Sequence, residues 1–206
     1  MAPKNKFTRE EMVAAAVAVV QKGGEEALTA KALAEALGTS TQPVFTCFGT
    51  MEALKAEVYA AAEQIFNRYA LAGLQQKVPF FGYGVQYIRF AREEPELYRI
   101  LFLTKRAGNT TMNTMQRMSN AIQPVLMRVY KLTAIQANRY FRDVWLTAHS
   151  LATLVVTGNC PYSDGEIAKI LTGCSLSTLT AIKQIPGFAE DAFDRDAAFK
   201  SVTGQE

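Results

Sequence analysis

The feature that most constrains the fold is the punctuation of the first fifty residues, where three helix starts and three glycine stops crowd together. Thr8 followed by Glu11 is a capping box, in which hydroxyl and carboxylate each satisfy an orphan amide at a helix start. Met12, Val13, Ala16, Val17 and Val20 then recur at helical spacing, and Gly23-Gly24 supplies a left-handed stop. A short second helix runs from Thr29 as N-cap through Leu33 and Leu37 to Gly38, whose missing Cβ permits a tight turn. A third follows at once: Ser40 is placed to cap it and Pro43 falls in its first turn, where amides have no intrahelical partner. Val44, Phe45 and Phe48 form its apolar side, and Gly49 ends it.

The remainder reads the same way. Met51 to about Leu74 is a long fourth helix, and the periodic segments Phe80 to Arg92, Glu96 to Thr104, Thr111 to Lys131 and Thr133 to Thr157 are further helices, with a loop at Lys105 to Thr110. Ser163 and Glu166 form a second capping box, opening a helix from Asp164 to about Lys183, with Pro186-Gly187 beyond it and a short helix around Ala189 to Phe199. No internal repeat and no strand-type alternation interrupts this pattern, so the fold class is all-α. A chain of 206 residues has room for a small head and a larger body. The punctuation places the head at 1–54 and the body at 55–206.

Composition narrows the function. A hydrophobic fraction of 49% with 20% charged residues belongs to a chain that buries a core. No apolar run approaches the ~20 residues of a membrane span, and Met1 to Arg9 is polar and basic without a secretory apolar stretch, so a cytoplasmic protein with no membrane partner is expected. Cys47, Cys160 and Cys174 are odd in number and widely spaced, fitting neither a disulfide framework nor a zinc site. The single histidine, His149, removes most schemes that draw on several imidazoles. With no glycine-rich phosphate loop, nucleophile elbow or repeated Glu-x-x-His, neither an enzyme nor a cofactor or metal site is expected. Residues 1–60 carry six Lys and Arg against seven Glu, a balance of −1, so any DNA binding must come from local geometry.

Two short helices at a tight glycine turn, behind a longer supporting helix, make a helix-turn-helix whose second member fits the major groove. The same pattern also suits a helical hairpin in any bundle. The residues from Leu28-Thr29-Ala30-Lys31 through Gly38-Thr39-Ser40, then Thr41-Gln42-Pro43-Val44-Phe45-Thr46-Cys47-Phe48 and Glu52-Ala53-Leu54, resemble the DNA-binding head of TetR-family transcriptional regulators. The resemblance covers about the first quarter of the chain. It implies a repressor that binds double-stranded operator DNA as a homodimer and leaves it when a small-molecule effector enters the body. Thr41, Gln42 and Thr46 are then the base-reading candidates, with Gln42 able to pair bidentately with an adenine edge. Thr29 and Lys31, at the amide-rich start of the second helix, are candidate phosphate anchors, and Ser40, Phe45, Cys47 and Thr50 complete the expected DNA face.

The chain departs from the family at three positions. Phe45 stands where a phosphate-reaching tyrosine is usual, Cys47 where His or Tyr is common, and Met51 where a lysine is usual. Thr50, Lys55 and the arm Lys4 to Arg9 are the available replacements for those backbone contacts. The alternative reading is a helical ligand-binding or interaction protein with a weakened DNA-binding head.

In the body, Phe90 to Phe102 and Trp145 through His149-Ser150-Leu151 resemble a TetR subgroup with a Trp and a His-Gly on one helix, Ser150 replacing the glycine. Trp145 and His149 lie one turn apart on the same face. Tyr83, Tyr87, Tyr98, Phe102, Met115 and Met118, with Phe90 and Met112, could surround them as an apolar effector chamber, or could be ordinary core. The helix Asp164 to Lys183, with small residues Gly173, Cys174, Ser175, Ser177 and Thr178 among Ile167, Leu171, Leu176 and Leu179, is the candidate dimer seam together with Thr147, Ala148, Leu151, Ala152 and Val155.

Overall fold

The computed structural model describes residues 7–76, 78–104 and 111–204. Among these residues every regular element is helical, as the sequence predicts. The elements are α1 (Arg9–Gly23), α2 (Ala30–Leu37), α3 (Gln42–Phe48), α4 (Met51–Leu74), α5 (Pro79–Glu93), α6 (Pro95–Tyr98), α7 (Thr111–Tyr130), α8 (Ala134–Val156), α9 (Asp164–Gln184) and α10 (Arg195–Thr203). The expected loop at Lys105 to Thr110 lies outside the described residues, as do Lys4 and Lys6 of the N-terminal arm.

Local chemistry explains the boundaries. The capping boxes Thr8/Glu11 and Ser163/Glu166 both form, and Thr133/Gln136 adds a third at the start of α8. Thr29 caps α2 by accepting from the Ala32 amide, and Gly38 closes it in the left-handed conformation at φ 61°. Two expectations are corrected here. Ser40 does not cap α3: the amide it would bond at the third helical position belongs to Pro43, which has no N–H, and the helix opens one residue later from Thr41. The tail helix begins at Arg195, where Asp194 accepts from the Ala197 amide; ahead of it Phe188–Glu190 is only a 3-10 turn, stopped by Asp191 at φ 54°.

One continuous hydrophobic core runs from Met12 in α1 to Ile182 in α9. The helix α4 is its spine: Leu54, Val58, Ala62, Phe66 and Ala70 recur every fourth residue and are all buried, with Gly73 one step on. Its N-terminal half packs on α1 and α3, and the helix as a whole packs most extensively on α5, which in turn covers α8. The α4–α5 crossing is a backbone-to-backbone contact, because a Cβ placed on Gly73 would stand 2.6 Å from the Gly82 carbonyl oxygen and 2.7 Å from the Tyr83 Cα. After α6 the chain winds a wider π-type turn, Arg99–Leu103, in which the Thr104 amide reaches back to the Arg99 carbonyl at 3.0 Å. Such turns re-aim side chains and concentrate at functional positions. Here it turns Leu101 and Phe102 toward α4 and α7, where they help wall a cavity.

Candidate functional site

The N-terminal helices expose one polar face. Val44 and Phe48 sink into the core beside Leu33 and Leu54, which leaves Thr41, Gln42, Phe45 and Thr46 on the outer side of α3. Phe45 is 46% exposed, an unusual position for a large apolar ring. Ser40, Thr29 and Lys31 are exposed next to this face; Lys31 is 85% exposed and only loosely paired with Glu35 at 3.9 Å. The Thr46 hydroxyl donates to the Gln42 carbonyl at 2.9 Å, which restricts the rotation of its side chain.

Three of the residues offered as substitutes for missing phosphate contacts, Arg9, Thr50 and Lys55, are already engaged. Arg9 donates to the Cys47 carbonyl at 2.8 Å and to Glu57 at 2.8 Å, and its guanidinium lies 4.6 Å from the Phe48 ring centroid. It therefore ties the end of α3 to α1 and α4. Lys55 pairs with Glu25 at 3.7 Å, and the Thr50 hydroxyl caps α4 on the Ala53 amide. Cys47 is half-buried beside Arg9 rather than on the open face.

A cavity of about 450 Å³ opens between α4, α5, the π-type turn and α7. Phe66, Ala70, Leu74, Tyr83, Leu101, Phe102, Met118 and Ile122 make it apolar. Its polar end is Glu63 from α4 and Arg117 from α7, paired at 2.9 Å, with Thr114 Oγ1 accepting from the same guanidinium at 3.2 Å. A chamber of this size and composition suits a small apolar molecule oriented by a few polar groups.

Of the residues expected to form an effector chamber, Tyr83, Phe102 and Met118 reach this cavity. Tyr87, Tyr98, Trp145 and His149 are brought together elsewhere, as a closed cluster that adjoins it through Phe102. The Trp145 and His149 rings stack at 4.8 Å, and the Tyr87 and Tyr98 hydroxyls both stand 3.0 Å from His149 Nδ1. A neutral imidazole nitrogen has one lone pair or one proton to offer, so one phenol must send its hydrogen elsewhere. Tyr98 has that outlet in Thr153 Oγ1 at 3.3 Å and the His149 carbonyl at 3.4 Å. Among the described residues Trp145 Nε1 is buried without a hydrogen-bond partner. Met115 faces a separate shallow hollow beside α8. Phe66, Leu101 and Thr114 were missed in the sequence, where nothing local marks them; the π-type turn and the α4–α5 crossing create their convergence.

Burial holds the His149 imidazole below its ordinary pKa of 6.5 and raises the Tyr87 and Tyr98 phenols. As pH falls, the unfolded chain takes up this proton first, so folding stability is lost progressively from about pH 7 downward until the buried imidazole also titrates. His149 is the only imidazole in the chain, so a melting-temperature series from pH 7.5 to 5.5 reports on it directly. The decline should vanish in His149→Gln; an equal decline in both proteins would assign it to other groups.

Compared with models of known protein families the chain matches none, and a search among curated proteins returns no significant match. Among the described residues no helix is long and apolar enough to cross a membrane.

Proposed function

We propose that this protein is a TetR-type transcriptional regulator, a homodimer that binds a palindromic operator through α3 and leaves it when an apolar effector occupies the cavity between α4 and α7. The observation that carries this reading is the exposed face Thr41, Gln42, Phe45 and Thr46 on a helix anchored from behind by Val44 and Phe48. That is the presentation a recognition helix needs in a major groove. The motif resemblance from Leu28 to Leu54 supports it, and α4 supplies the mechanical link, because one helix both carries α3 and walls the cavity.

The test is binding of a labelled duplex from the gene's own upstream region. Gln42→Ala should weaken binding to the specific site by ~1–3 kcal/mol and leave random DNA nearly unaffected, since one base contact is lost while phosphate contacts stay. An equal loss on both duplexes would remove Gln42 from sequence reading.

The dimer seam follows solvent-facing residues: Leu146 and Ser150 on α8, and Thr172, Gly173, Leu176, Ser177 and Thr180 on α9 form adjacent uncharged stripes. Several residues first assigned to a seam, Ala148, Leu151, Ala152, Ile167 and Leu171, are instead buried in their own chain. A charge at Leu171 would unfold the protomer, whereas Leu176, 60% exposed, is the informative position. Leu176→Glu should yield folded monomers by sedimentation, and an unchanged dimer would move the seam elsewhere.

The second reading, a ligand-binding helical protein without operator affinity, is favoured by the engagement of Arg9, Lys55 and Thr50 inside the chain. Absence of binding to every duplex at low salt would select it.

A further inference from the structure

We propose that the cavity between α4 and α7 selects an apolar monocarboxylate, whose carboxylate takes the place of Glu63 on Arg117. The proposal rests on reading this cavity as the effector site. Both charges at its polar end come as one pair, Glu63 and Arg117 at 2.9 Å, with side chains 38% and 54% exposed. A pair this open contributes little to stability, so exchanging one partner costs little. The two partners are not equally replaceable. Arg117 is held a second time, by the hydroxyl of Thr114 at 3.2 Å, and Thr114 is 93% buried in the cavity wall, its residue only 7% exposed. Among the described residues Glu63 has no second hydrogen-bond partner, and its carboxylate is partly open to solvent. The guanidinium is thus the fixed element and the carboxylate the movable one. A planar guanidinium fork also matches an incoming carboxylate in a bidentate geometry that an amine or alcohol cannot copy.

The remaining walls state the rest of the ligand. Phe66, Tyr83 and Phe102 offer aromatic surface, and Leu101, Met118 and Ile122 aliphatic surface; Asn67 adds one neutral amide, and among the described residues no further charged side chain lines the chamber. The ligand is therefore a largely apolar body with one anionic end. Its entry also has a mechanical consequence: the Glu63–Arg117 pair joins α4 to α7, and replacing Glu63 by the ligand releases that tie on the helix that carries α3.

Calorimetry with 4-phenylbutanoate, 4-phenylbutan-1-ol and 4-phenylbutylamine, on the full chain without DNA, separates the possibilities. The acid should bind about tenfold more tightly than the alcohol, the value of one charge-assisted hydrogen-bonded contact, and the amine most weakly. Arg117→Gln should bring the acid down to the alcohol while leaving the alcohol unchanged, and Glu63→Gln should tighten the acid by removing its competitor. An amine or alcohol that matches the acid, or an acid preference that survives Arg117→Gln, overturns the carboxylate assignment. No binding of any of the three at millimolar concentration overturns the site. Binding of the acid with unchanged operator affinity would leave the site standing and overturn the regulatory reading instead, so the two failures are distinguishable.

Discussion

Gly82→Ala is expected to destabilise the fold by about 3 kcal/mol, the upper end of what overpacking a well-filled interior costs. An added methyl at Gly82 would fall on the carbonyl oxygen of Gly73 and 2.9 Å from the Gln76 side chain, and the first of these is backbone that cannot swing aside. Relief requires α4 and α5 to separate at their closest approach. The usual gain of roughly 0.8–1 kcal/mol for alanine over glycine in a helix works in the opposite direction and is too small to compensate. Gly84 is the internal control, on the same helix and also buried, because a Cβ there meets only Leu171 Cδ1 at 3.6 Å, an ordinary contact. Urea unfolding should thus show Gly82→Ala strongly shifted and Gly84→Ala unchanged or slightly more stable. Equal behaviour of the two variants would mean that the crossing relaxes without cost.

This crossing also shows where sequence reasoning reaches and where it stops. Helix starts were legible because capping is local: Thr8 with Glu11, Thr29, and Ser163 with Glu166 each need only a neighbour three residues away. The same local logic, followed one step further, would have moved the start of α3 from Ser40 to Thr41, since Pro43 cannot donate. Periodicity correctly brought Trp145 and His149 onto one face, but a period says which residues share a side and not whether that side closes on itself or borders a void. Here Tyr87 and Tyr98 fill the space in front of His149, and the void lies on the other side of Phe102. Leu171 and Leu176 illustrate the same limit on α9, where similar residues five positions apart point to the interior and to solvent. The π-type turn at Arg99–Leu103 has no composition signal, because the extra residue per turn is set by how the turn packs between α4 and α7.

Phe66→Ala should be the most damaging single truncation next to the cavity. The Phe66 ring is 5% exposed and meets Tyr87 at 5.7 Å, Phe90 at 5.3 Å and Phe102 at 5.3 Å, all at steep interplanar angles that place ring edges against ring faces. Such pairs add about 0.5–1.5 kcal/mol each beyond burial, though they share one ring and do not sum. Removing a buried phenyl costs roughly 3–5 kcal/mol when the space stays empty. At this position the new space joins the existing chamber, so the lower end of that range applies, and Phe66→Leu should cost only about 1 kcal/mol. The enlarged chamber gives the decisive measurement: a dry apolar void binds small aromatic solutes, so saturating toluene should raise the melting temperature of Phe66→Ala more than that of the parent protein. If toluene stabilises both proteins equally, the space left by the phenyl has collapsed and Phe66 does not define the cavity wall. If it stabilises the variant alone, Phe66 is the element that joins the chamber and the aromatic cluster, and its position on the same face of α4 as Val58 and Leu54 offers a rigid path from the chamber toward α3.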